Sequence, residues 1–119
     1  MKFSALLSII FLTGCAAVPH QSYDREKVRL AINSHKKAFK ACYDEALNRD
    51  KDVKGRVVIE FDIETEGKVT KAFAITNDTK DAVLGACLSD KVKSITFPEP
   101  PDAEIARVRY PFVFSSQKR

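Results

Sequence analysis

Few of the residues on which catalysis and metal binding usually depend occur here: of 119 residues, two are histidine and three are cysteine. No Gly-x-Ser-x-Gly, His-Glu-x-x-His, phosphate-loop or dinucleotide-binding pattern occurs, so the common hydrolase, metalloprotease and nucleotide chemistries are not indicated. His20 falls in a short polar stretch and His35 on an apolar helical face, which gives them no shared metal set and makes His35 a partly buried structural residue. Asp50-Lys51-Asp52-Val53-Lys54-Gly55 opens like a calcium loop, but Lys54 and Phe61 stand where oxygen ligands are needed. The expectation is no catalytic residue, no metal, no cofactor and no small-molecule substrate. A strong charge of one sign is also lacking. The net charge of +4 is too mild to mark a dedicated nucleic-acid surface. Long apolar runs are missing too, because Phe3 to Leu12 is about half of the roughly 20 residues that a membrane-spanning helix needs.

What is present begins with an address. Met1-Lys2 followed by the apolar Phe3–Leu12 segment reads as a signal peptide. It ends in Leu12-Thr13-Gly14-Cys15, which resembles the lipobox of bacterial lipoproteins: an aliphatic residue, two small residues and an obligatory cysteine. The resemblance implies a diacylglycerol (later palmitate-bearing) on the Cys15 thiol and cleavage just before it. The alternative is an ordinary signal peptide cut near Ala16-Ala17. Cleavage before Cys15 removes 14 of 119 residues and one charge, Lys2, leaving 105 residues at net charge +3. That length suits one small domain. Ala16, where an aspartate would signal inner-membrane retention in the enterobacterial pattern, points to the outer membrane. Two or more acyl chains make such an anchor stable, since each buried methylene contributes about 0.8 kcal/mol.

The expected organisation is residues 1–14 as signal peptide, 15–24 as lipidated cysteine and short tether, and 25–116 as one domain. Eight residues, Ala16 to Tyr23, reach at most about 28 Å when extended. Asp24 can cap a helix running to about Asn48, because Val28, Ile32, His35, Phe39, Cys42 and Ala46 recur at spacings of three and four. Lys36, Lys37 and Lys40 then form a solvated face, or one that meets an anionic membrane.

Val57, Ile59, Phe61 and Ile63 alternate with Arg56, Val58, Glu60 and Asp62 as one half-buried strand. A turn at Glu64-Thr65-Glu66-Gly67 leads into a second strand from Lys68 to Thr76, whose inward face is either Phe73 and Ile75 or Ala72 and Ala74. Asp78 or Thr79 can cap a second helix with a stripe of Leu84, Leu88, Val92 and Ile95, followed by a proline-rich loop. In the last strand, Ile105 to Ser115, Val108, Tyr110, Phe112 and Phe114 share a face opposite Arg107 and Arg109. Pro111 cannot donate a ladder hydrogen bond, which places this strand at an edge or at a bend. The order helix-strand-strand-helix-strand is α+β, a small antiparallel sheet covered by two helices.

Setting Cys15 aside leaves Cys42 and Cys87, an even pair in an exported chain. Each sits on a helix. A bond between them would clamp both helices onto the same side of the sheet; the alternative is two buried thiols.

Cys42-Tyr43, Gly55-Arg56-Val57, Gly67-Lys68-Val69, Cys87, Phe97-Pro98-Glu99-Pro100 and Tyr110-Pro111-Phe112-Val113-Phe114 occur in one order. Together they resemble the AgmX/PglI C-terminal domain, a TonB C-terminal-like module, over roughly residues 28–114. The resemblance implies a non-catalytic binding or assembly module facing the periplasm, with a protein partner in the envelope. A lipid and a short tether stand where full-length relatives carry long multidomain chains, which argues against energy transduction across the periplasm. The candidate binding element is the edge strand with Arg107, Arg109, Tyr110 and Phe112. The competing expectation is a structural lipoprotein that packs against peptidoglycan or the membrane surface.

Overall fold

Asp24 opens the first helix as its sequence position suggests, accepting a hydrogen bond from the Glu26 backbone N–H at 2.9 Å. The computed structural model describes residues 24–115. The expected signal peptide, Cys15 and most of the tether lie outside the described residues, as does residue 116. The elements are α1 (Arg25–Asn33), α2 (Lys36–Arg49), β1 (Gly55–Ile63), β2 (Val69–Asn77), α3 (Ala82–Lys93), a 3-10 turn (Pro101–Ala103) and β3 (Ala106–Phe114).

The single helix expected from Asp24 to about Asn48 is two helices, broken at Ser34 and His35. In an unbroken helix the Ala31 carbonyl would accept from the His35 N–H. Here the Ser34 hydroxyl donates to that carbonyl at 2.7 Å and His35 Nδ1 lies 2.9 Å from it, while the His35 N–H turns to the Ile32 carbonyl at 2.9 Å. Local side-chain bonding has displaced the helical one. His35 is therefore exposed at the break rather than part of the core face, which corrects the sequence expectation. Ile32 and Phe39 on either side of it remain buried.

β1 is the central strand of a three-stranded antiparallel sheet of order β2-β1-β3. Val57, Ile59, Phe61 and Ile63 are buried beneath the helices together with Leu84, Leu88, Val92 and Ile95, as their spacing indicates. Complete burial of each such side chain contributes about 1.5–3 kcal/mol.

The inward face of β2 is settled in favour of alanine: Ala72 is buried and Ala74 half-buried, while Phe73 remains 51% exposed. The pattern was ambiguous because residues 72–75 are all apolar, and pairing with β1, whose register slips between Val58 and Ile59 and again between Asp62 and Ile63, decides the face. Small side chains there also let α3 approach, because a Cβ on Gly85 would lie 3.4 Å from that of Ala74.

α3 begins at Asp81, whose carboxylate accepts from the Leu84 N–H at 2.9 Å, and not at Asp78 or Thr79. Those residues prepare the cap instead. Thr79 donates its N–H to Asn77 Oδ1 and accepts from the Asp81 N–H, at 3.1 and 3.2 Å. The proline-rich segment folds back so that Phe97 is buried with its ring centroid 5.3 Å from that of Phe61. Among the described residues all three helices lie over one side of the sheet, giving a two-layer α+β domain with no element over the other sheet face.

Candidate functional site

β3 lies at the edge of the sheet, so one side of its backbone has no neighbouring strand among the described residues. Which groups face outward follows from β1. The Arg56 carbonyl accepts from Asp78 and the Glu64 N–H donates to Lys68, both on the β2 side. Even-numbered residues of β1 therefore point toward β2 and odd-numbered ones toward β3. Through the pairings Val57 with Phe112, Ile59 with Tyr110 and Phe61 with Val108, the even members of β3 bond inward. Arg107, Arg109, Pro111 and Val113 turn their backbone groups to the free edge. Pro111 thus costs no ladder bond, because its missing N–H falls on the unpaired side.

The four residues expected at this edge divide between its two faces. Arg107 and Arg109 lie on the open face of the sheet, where their partners sit across on β1. Arg109 Nε donates to Glu60 Oε2 at 2.9 Å and Arg107 Nε to Asp62 Oδ1 at 2.9 Å. Glu60 is nearly covered, with a side chain only 12% exposed, whereas the two arginines stand out at 67% and 68%. The hydrogen bond from Arg107 holds the Asp62 carboxyl below its ordinary range despite partial desolvation, and Asp62 in turn raises Arg107. Tyr110 and Phe112 point the other way. Phe112 is buried with its ring centroid 4.8 Å from that of Phe39, and Tyr110 stands 5.1 Å from Phe112.

Between the edge and the helix break runs a groove of about 230 Å³, lined by Ile32, Asn33, Lys36, Phe39 and residues 110–113. Four consecutive strand residues can line one groove only where it meets the strand edge, since alternate side chains leave on opposite faces. Its helical wall escaped sequence reasoning because an unbroken α1–α2 helix has no notch there. The ion pairs of the open face left a readable signal: Glu60 and Asp62 alternate on β1 as Arg107 and Arg109 do on β3.

The other expected site, the cysteine pair, is brought together. Cys42 on α2 and Cys87 on α3 place their sulfurs 2.01 Å apart, at disulfide distance, with Cα atoms separated by 5.7 Å. Beside this junction Arg49 at the end of α2 pairs with the α3 cap Asp81 at 2.8 Å. Burial works against the ionised Asp81, but hydrogen bonds from Leu84 and Arg49 outweigh it and hold the carboxyl below its ordinary range. Among the described residues no cluster of three or more metal-ligating side chains occurs, and no helix is long and apolar enough to cross a membrane. Searches of the chain against protein-family models, curated proteins and solved structures return no match.

Proposed function

We propose that this chain is a non-catalytic, lipid-anchored interaction and assembly module of the bacterial cell envelope. Cys15 carries the lipid, the domain faces the periplasm from the outer membrane, and β3 offers its free edge to an extended segment of a protein partner. The observation that carries the reading is the edge of β3, unpaired among the described residues, with a groove beside its residues 110–113. Strand addition of this kind derives affinity from main-chain hydrogen bonds and selectivity from alternate side-chain positions. The element order is also the one expected of an AgmX/PglI C-terminal, TonB-like domain, and the Cys42–Cys87 pair suits an oxidising compartment.

The test is affinity capture from crosslinked cells, comparing wild type with Cys15→Ala and with Val113→Pro, which removes an outward N–H from the edge. Recurrent envelope proteins that are lost with Val113→Pro, while its thermal unfolding stays cooperative, support the edge. Capture unchanged by Val113→Pro sinks it.

A second reading, a structural lipoprotein held against peptidoglycan or the membrane, is favoured by one observation. Between Arg25 and Lys40 stand six basic residues and one acidic residue, with Leu30 exposed among them. Cell-wall sedimentation after detergent extraction separates the two, because only the structural reading predicts retention without protein partners.

A further inference from the structure

β3 already receives one strand, and the way it does so describes what its other side would accept. On its paired side lies β1, with apolar Val57, Ile59, Phe61 and Ile63 toward the helices and acidic Glu60 and Asp62 toward the open face. Those carboxylates meet Arg109 and Arg107 across the strands. The free side presents the same two chemistries. Toward the helices it has the groove, with Ile32, Phe39 and Phe112 in its lining. On the open face the Arg107 and Arg109 side chains are two-thirds exposed even with their β1 partners in place. No residue of β3 is acidic. Lys36, which lines the groove, has no ion pair among the described residues.

We infer that the partner segment is an extended strand alternating apolar and acidic residues, a chemical counterpart of β1 on the opposite side of β3. Its apolar side chains enter the groove beside Phe112. Its carboxylates lie on the open face within reach of Arg107 and Arg109. Opposite charges across neighbouring strands contribute about 0.2–1 kcal/mol each and like charges oppose pairing by similar amounts. This inference rests on the edge pairing proposed above, and concerns what kind of strand is selected.

The experiment titrates the protein with two capped peptides of about ten residues, a usual strand length, one alternating Val with Glu and the other Val with Lys. Backbone amide resonances of β3 and groove residues are followed by NMR. The expected result is that the Val/Glu peptide shifts the amides of Arg107, Arg109 and Val113 and binds about tenfold more tightly than the Val/Lys peptide. The gap should narrow in high salt and under Arg107→Gln, a substitution at an exposed residue that leaves the core and the Arg109–Glu60 pair intact. Equal affinity of both peptides at β3 would overturn the acidic alternation while the edge reading stood. Failure of both peptides to shift any β3 amide would overturn the edge reading, and this inference with it.

Discussion

Gly67 shows how one residue can hold two distant segments together. It adopts φ +88°, and a Cβ there would lie 2.0 Å from the Phe97 carbonyl oxygen. Its own carbonyl accepts from the Phe97 N–H at 2.8 Å. The hairpin turn and the loop after α3 are thus joined through a position with no room for a side chain. Gly67→Ala is expected to destabilise the domain by about 3 kcal/mol, combining left-handed strain with forced displacement of a backbone carbonyl. Chemical denaturation checks it; a loss below about 0.5 kcal/mol, within the range of ordinary surface substitutions, would show that the loop yields.

Asp81 sets an acid limit at the same scale. Its folded pKa lies below the ordinary value, so near and below about pH 4 the unfolded chain takes up a proton that the folded chain refuses. The stability it contributes is present above that pH and disappears as pH falls through the folded pKa. Asp81→Asn keeps a good helix cap and should flatten the pH dependence. Between pH 6 and pH 3 the variant is expected to lose less stability than wild type in urea titrations. Equal losses would mean that other carboxylates govern the acid limb.

At the level of elements, the decisive features are a break and a clamp. The break at Ser34 and His35 divides one amphipathic pattern into two helices without moving Ile32, before it, or Phe39, after it, out of the core. Periodicity reported the buried face correctly except at His35. It was silent on the break, since the competition for the Ala31 carbonyl concerns hydrogen bonds rather than hydrophobicity. The clamp is Cys42 with Cys87, 45 residues apart in the chain. Closing a loop of that length stabilises the fold by about 4 kcal/mol in the chain-entropy account. Cys42→Ala with Cys87→Ala, or reduction of wild type, should lower unfolding stability by roughly 2–5 kcal/mol, and reductant should leave the double variant unchanged. A reductant-insensitive wild type would show that the bond is not formed in solution.

For the domain as a whole, the helices bury one side of the sheet, and among the described residues no element covers the other side or its edges. That arrangement gives the proposed anchor its meaning, because a short tether would hold the free edge of β3 close to the membrane surface. Cys15→Ala is expected to move the protein from the membrane pellet to the soluble fraction and to abolish labelling by a radioactive fatty acid. Continued pelleting with the label retained would place the lipid elsewhere. Most ion pairs are partly exposed and individually contribute about 1 kcal/mol or less, so the core and the cysteine clamp carry the stability.

Local information was enough for the order of elements, the inward stripes of β1 and α3 and the edge character of β3. These rest on side-chain period and on the backbone of proline, both properties of neighbouring residues. The face taken by β2, the cap of α3, the position of His35 and the groove beside β3 were decided by tertiary structure. Each depends on contacts between segments or on competing hydrogen bonds: a bulge set by pairing with β1, an Arg49–Asp81 contact across two helices, a carbonyl claimed by two side chains. A hydrophobic pattern records which residues avoid water, and it carries no record of which polar group wins a shared partner.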